Sequence, residues 1–250
     1  MTITRKAERS AVYAGTRNYY LDMIPSAKSL LVHSDVDRIY FLIEDDAFPI
    51  ELPDCFTIIN VRDQKWFNPV SANWRVKWTY MVLLRAAYAK IFPDLDKIVS
   101  LDGDTIVGKN IGSELWDLDL GENFFAAACE PTRSNDRFTY FNMGVAVYNL
   151  KQIREEGLDD ILINSLNTTA YKYAEQDCIN EWCQGRILEL NSRYNRFAES
   201  KPVEDGDVRI LHFAASDGTW RALQIVHYYM NLSWDQVFEM RRRNGQKNRC

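Results

Sequence analysis

The stretch Lys97-Ile98-Val99-Ser100-Leu101-Asp102-Gly103-Asp104-Thr105-Ile106-Val107 limits the fold more than any other part of this chain. An apolar run stops at two carboxylates separated by one glycine, and a second apolar run resumes at once, so the pattern reads as a buried strand that carries two acids at its carboxyl end. Two carboxylates about 4 Å apart repel by roughly 4 kcal/mol at an effective dielectric near 20. A divalent cation turns that cost into a site, and hard oxygen ligands suit Mg²⁺ or Mn²⁺. Asp-Gly-Asp is also a common composition for a solvated turn. The buried strand before it favours the cation, because ligands of open α/β sheets gather at the carboxyl ends of the strands.

The surrounding elements read as α/β. Residues 11–15 form a strand ending at Gly15, a helix starts near Tyr20, and Arg38–Ile43 is a second strand, which together make a β-α-β unit. A third strand falls at Cys55–Val61 and a long helix at Val76–Ile91, with Arg85 inside it as either a surface charge or an arginine aimed at a pyrophosphate. Strands follow at Phe124–Cys129 and Tyr140–Leu150, the latter interrupted by Asn142 and Gly144, which signal a bulge or an amide reserved for a ligand hydroxyl. A helix runs from Ile153 to Leu166. Another begins near Tyr173 with Glu175, Gln176 and Asp177 in its first turn, where acids complement the helix dipole. Ile187–Leu190 and Val208–Phe213 are short strands, the second carrying His212.

At 250 residues and 46% hydrophobic content the chain can bury a large core, and a formal charge of −5 argues against a general nucleic-acid partner. No GxGxxG or P-loop pattern is present, no run approaches the ~20 apolar residues of a membrane span, and the polar start lacks the apolar core of a signal peptide. Cys55, Cys129, Cys178, Cys183 and Cys250 show no CxxC spacing and read as reduced thiols of a cytoplasmic protein.

Five separated motifs, in order, carry a resemblance. Ala14-Gly15-Thr16-Arg17-Asn18-Tyr19, Arg85 upstream of Asp102-Gly103-Asp104, Tyr140-Phe141-Asn142-Met143-Gly144, Glu175-Gln176-Asp177 and finally His212-Phe213 together resemble family 8 of the glycosyltransferases over residues 11–220. The resemblance implies a GT-A fold, a single Rossmann-like mixed sheet flanked by helices. It also implies a nucleotide-sugar donor, usually a UDP-sugar, Mn²⁺ with Mg²⁺ as the alternative, and transfer with retention to a glycan or lipid-linked acceptor.

It assigns Asp102 and Asp104 as the metal ligands of the DxD motif and His212 as the third. Ala14, Gly15, Thr16, Asn18 and Tyr19 then face the nucleoside, Arg85 and Gly103 the donor, Asn142 the donor sugar and Gln176 the anomeric carbon. Glu175 and Asp177 remain as candidate nucleophiles. Two positions depart from the family: Glu175 stands where an aspartate is usual, and Gly218 stands where a lysine contacts phosphate, leaving Arg221, Arg209 or Lys201 to replace it. Nucleotide-sugar hydrolysis, or a catalytically silent binding module, stays open as the alternative. Residues 1–230 read as the GT-A domain and 231–250 as a C-terminal helix with the basic run Arg241–Arg249, a solvated tail or a contact with anionic lipid at the inner membrane face.

Overall fold

A computed structural model describes residues 8–75, 79–198, 206–214 and 218–246. The strands are β1 Ser10–Ala14, β2 Arg38–Ile43, β3 Phe56–Asn60, β4 Lys97–Leu101, β5 Thr105–Val107, β6 Phe125–Cys129, β7 Phe141–Asn149, β8 Ile187–Leu190, β9 Arg196–Phe197 and β10 Ile210–His212. The α-helices are α1 Met23–His33, α2 Tyr88–Ile91, α3 Gly112–Trp116, α4 Leu150–Glu156, α5 Leu158–Thr168, α6 Ala174–Trp182, α7 Gln224–Asn231 and α8 Trp234–Arg243.

Seven strands form one mixed sheet in the order β3-β2-β1-β4-β7-β6-β8. β1 runs parallel to β2 and β4, and β7 runs antiparallel to β4 and β6. Helices cover both faces, which is why these strands are apolar at successive positions instead of every second one. Ala11 and Tyr13 of β1 enter the core shared with α1, α7 and α8, whereas Val12 between them enters the core shared with α2, α4, α5 and α6. The fold expected from the sequence is the fold observed.

Beside that sheet stands a second, three-stranded one, β5-β10-β9. The turn at 102–104 lifts β5 out of the line of β4, so β5 pairs antiparallel with β10 and sets His212 opposite Thr105. Two separate segments are thereby fixed next to the two aspartates.

Other departures have local causes. The single helix expected over 153–166 is two helices, because Gly157 between α4 and α5 adopts φ 65°, a left-handed conformation that ends α4. The long α-helix expected over 76–91 is a 3-10 helix at Tyr80–Ala87 followed by α2, with 76–78 outside the described residues. That 3-10 run of eight residues exceeds the usual three or four.

Helix α7 has no counterpart in the sequence reading. It leads into α8, which begins at a Ser233–Gln236 capping box and buries Val237 in the main core. Lys28, itself buried on α1, donates to the carbonyls of Met230 (3.0 Å) and Leu232 (2.6 Å) and clamps the link between α7 and α8.

The basic run that begins in the last turn of α8 is smaller at the surface than in the sequence. Arg241 is fully buried and donates to the carbonyl of Val36 (2.7 Å), Arg243 pairs with Glu239, and residues 247–250 lie outside the described residues. Among the described residues no helix is long and apolar enough to cross a membrane.

Candidate active site

Strand β4 ends at Leu101, and the acidic turn after it is held by hydrogen bonds from three directions. Asp102 N donates to the carbonyl of Gly144 (2.7 Å), Thr105 Oγ1 donates to the carbonyl of Asp102 (2.8 Å), and Phe213 N donates to the carbonyl of Asp104 (2.9 Å). These bonds fix both carboxylates toward His212. Its Nε2 lies 3.4 Å from Asp102 Oδ2 and 3.4 Å from Asp104 Oδ1, and ligand atoms of the three side chains all fall within 4.8 Å of one another.

An octahedral ion with bonds of about 2.0–2.1 Å sets neighbouring ligands about 3 Å apart. The donor set of two carboxylate oxygens and one imidazole nitrogen therefore fits Mn²⁺ or Mg²⁺ in both spacing and chemistry. Burial alone would push the His212 imidazole down, but Asp104 and Asp102 outweigh it and raise it to about 10. The pocket thus demands positive charge, from a proton or from a metal ion.

The other face of His212 explains its orientation. Nδ1 lies 2.8 Å from Asn195 Oδ1, and Asn195 Nδ2 donates to Asn142 Oδ1 (2.9 Å). With its amide nitrogen committed to Asn142, Asn195 presents its oxygen to the ring, which places a proton on Nδ1 and turns Nε2 toward the aspartates. Nothing in Arg193-Tyr194-Asn195-Arg196 marks this asparagine as special, and sequence reasoning misses it.

Gly144 has a stricter role than a bulge. β7 does bulge here, since the register on β6 shifts between Ala127 and Ala128. A Cβ at Gly144, however, would lie 2.1 Å from His212 Cε1 and 2.8 Å from Asp102 Oδ2. Glycine is what lets the imidazole and the carboxylate meet.

Behind the aspartates lies a buried ion-pair chain. Arg85 donates to Asp102 Oδ1 and, through Nη1, to Glu175 Oε1 (2.6 Å), so a single guanidinium spans both carboxylates. Burial works against the charge of Asp102, yet Arg85 and His212 hold it below the usual carboxylate range. Burial likewise pushes Glu175 up to about 7 against the pull of Arg85. Ala174, just before Glu175, is held at φ 46°, a strained conformation for a residue with a Cβ.

Gln176 and Asp177 are similarly occupied. Gln176 Oε1 accepts from Met143 N (2.9 Å) and its Nε2 donates to Tyr140 Oη (3.1 Å). Asp177 accepts from Tyr140 Oη (2.5 Å) on one oxygen and from Tyr173 N (2.8 Å) on the other. Asn142 accepts from Gly144 N (3.0 Å) and donates to Glu130 Oε2 (3.2 Å). Glu130, which reads in the sequence as one acid of a polar loop and not as a site residue, is in turn paired with Arg133 at 2.6 Å.

The loop after β1 is built differently. Ala14 and Gly15 close the strand, Thr16 leads into a 3-10 turn at Arg17–Tyr19, and Asn18 and Tyr19 are exposed. The loop reaches the acidic turn through Met23: ideal Cβ positions at Gly15 and Gly103 both lie 3.4 Å from atoms of its side chain. Of the cations that could replace a lysine at position 218, Lys201 lies outside the described residues. Arg209 is engaged with Asp207 (2.8 Å) and the carbonyl of Asn110. Arg221 stands beside Tyr19, its guanidinium carbon 5.7 Å from the ring centre.

The profile of glycosyl transferase family 8 matches residues 10–231. The chain is 26% identical over 249 residues to glycosyltransferase GlyE of Streptococcus pneumoniae, covering 88% of this chain and 59% of GlyE. It is 29% identical over 125 residues to a putative glycosyltransferase of Haemophilus influenzae, covering 44% of this chain and 37% of that protein. The chain thus spans between about a third and three fifths of the length of the curated relatives it matches. The crystal structure of GlyE superposes with a TM-score of 0.71 at 22% identity, over 94% of this chain and 63% of GlyE. That of galactosyltransferase LgtC with donor and acceptor sugar analogs also gives 0.71, at 19% identity, over 92% of this chain and 99% of LgtC. Both structural neighbours have the GT-A fold.

Proposed function

This chain is a member of glycosyl transferase family 8, and on that premise we propose that it transfers a hexosyl group from a UDP-hexose to a hydroxyl of a glycan or lipid-linked acceptor, with metal assistance and retention of configuration. The observation that carries this reading is the convergence of Asp102, Asp104 and His212, from two segments distant in sequence, beside the nucleotide-facing loop at the end of β1.

Breaking the donor's glycosidic bond leaves negative charge on the departing diphosphate. A divalent cation held by Asp102, Asp104 and His212, Mn²⁺ before Mg²⁺, supplies Lewis-acid stabilisation of that charge, typically worth several kcal/mol. Arg85 keeps Asp102 ionised and aimed, and Asn195 keeps the His212 nitrogen available. Tyr19 offers its exposed ring to the base, and Asn18 and Thr16 offer polar atoms beside it.

Retention follows here from attack on the face that the leaving group vacates, with the diphosphate accepting the acceptor's proton. Double displacement needs a free nucleophile. Gln176 is an amide, Asp177 accepts a hydrogen bond on each oxygen, and Glu175 is buried against Arg85. Gln176 and Asn142 line the sugar side.

The free thiols Cys129, Cys178 and Cys183 accord with a cytoplasmic site of action. Contact with the inner membrane face would fall to Arg242 and Arg243 among the described basic residues of the C-terminal run, since Arg241 is buried.

Incubation with UDP-glucose or UDP-galactose, Mn²⁺ and a sugar acceptor tests the reading. Wild type should transfer, and Asp104→Ala should lose transfer by at least a hundredfold while keeping its melting temperature. Hydrolysis without transfer, binding without turnover, or a fully active Asp104→Ala chain would each refute it.

A further inference from the structure

We propose that Arg221 is the residue of this chain that grips the terminal phosphate of the departing nucleoside diphosphate, and that Asp22 sets it in place. The inference rests on the donor reading above and names a residue that reading leaves open.

Arg221 lies in the 3-10 turn Thr219–Ala222, directly after Gly218. Its Nε donates to Asp22 Oδ1 (2.8 Å) and its Nη2 to Asp22 Oδ2 (2.5 Å), a two-pronged pair that fixes the plane of the guanidinium. Nη1 has no hydrogen bond among the described residues, so one donor edge is left over. That edge faces Gly218, where a Cβ would lie 2.4 Å from Nη1. Gly218 also adopts φ 87°. The backbone therefore favours glycine at 218, and any side chain there would have to displace the tip of Arg221.

The placement then identifies the ligand. Asp22 directly precedes Met23, whose backbone N and Cα lie 3.7 Å from an ideal Cβ on Gly103, so Arg221 is anchored at the shoulder of the two-aspartate turn. On its other side it stands over Tyr19. The side chain is 45% exposed and reachable by a ligand. A positive group with a free donor edge, between a cation site and an exposed aromatic ring, fits an anion that is aromatic at one end and seeks a metal at the other. A nucleoside diphosphate has that shape. The arginine fork is held rigid by Asp22 and presents Nη1 without reorganising, whereas a lysine would bring a flexible point charge.

Titration calorimetry at saturating Mn²⁺ separates the possibilities. In Arg221→Ala the affinity for UDP should fall about tenfold or more, the loss of one charge-assisted contact, while affinities for uridine and for Mn²⁺ alone stay within twofold of wild type. Arg221→Lys should recover part of the loss, and Asp22→Asn, which loosens the fork, should weaken UDP by a smaller factor. An Arg221→Ala chain that binds UDP like wild type overturns the inference and leaves the donor reading standing. So does one that loses uridine and UDP in equal proportion, because Arg221 would then only prop Tyr19. A wild-type chain that fails to bind UDP with Mn²⁺ overturns both.

Discussion

His212 is 2% exposed and is bounded by Asn195, Asp102 and Asp104, while Tyr19, in the loop after β1, is 44% exposed and sits in a three-residue 3-10 turn. The contrast matches the roles proposed for the two halves. Holding an ion demands ligand atoms placed to within a few tenths of an ångström, which only a buried and fully hydrogen-bonded frame achieves. Stacking on a base tolerates small errors and needs an open face. The cation half should therefore be brittle to substitution and the loop half forgiving.

Gly144→Ala puts the greatest load on that contrast. The added methyl would overlap His212 Cε1 and Asp102 Oδ2, and over-packing of this kind costs about 1–3 kcal/mol before any effect on binding. Mn²⁺ affinity should fall at least a hundredfold by calorimetry, and Mn²⁺ should no longer raise the melting temperature. Near-wild-type affinity would mean that the cation lies elsewhere.

Next in size is the response to pH. With His212 raised to about 10 by the two aspartates, the metal-free pocket carries a proton at neutral pH that a cation must displace. Mn²⁺ affinity should therefore rise about tenfold per pH unit between pH 6.5 and 8.5, with about one proton released on binding. For the metal-free chain the sign is opposite. The contribution of His212 to stability is complete below its unfolded value near 6.5 and is lost as pH climbs toward 10. Calorimetry in buffers of different ionisation enthalpy counts the proton, and a count of zero would contradict the closed, proton-holding pocket.

The smallest effect belongs to the loop. Tyr19→Ala should leave Mn²⁺ affinity and melting temperature unchanged and weaken uridine and UDP alike by about tenfold, the lower range for loss of base stacking. A drop in Mn²⁺ affinity would erase the distinction between the halves.

Local pattern made much of this site legible. The apolar run of β4 just before Asp102 locates the acidic turn without any structure, and the run Val208–Phe213 places His212 on a strand. The order of motifs was enough to point to the family and its fold. Less visible were the partners that aim those side chains. Asn195 reads as an ordinary loop residue until β10 lies beside it, and Glu130 reads as one acid in a polar loop. Arg85 could be a surface charge or a donor contact on sequence alone, but folding encloses it between Asp102 and Glu175. Arg241 looks like the start of a solvated tail until the packing of α8 on α1 buries it.

By itself the sequence determined which residues could do chemistry and which strands would be buried, because hydrophobic periodicity and the placement of carboxylates, glycines and a histidine are local properties of a chain. Only the tertiary structure decided that β5 and β10 would pair, that His212 would face both aspartates across the space left by Gly144, and that Arg221 would lean on Asp22 beside Tyr19. The physical reason is that these contacts join residues up to about two hundred positions apart. Such distances are set by how whole layers pack, and no local pattern encodes them.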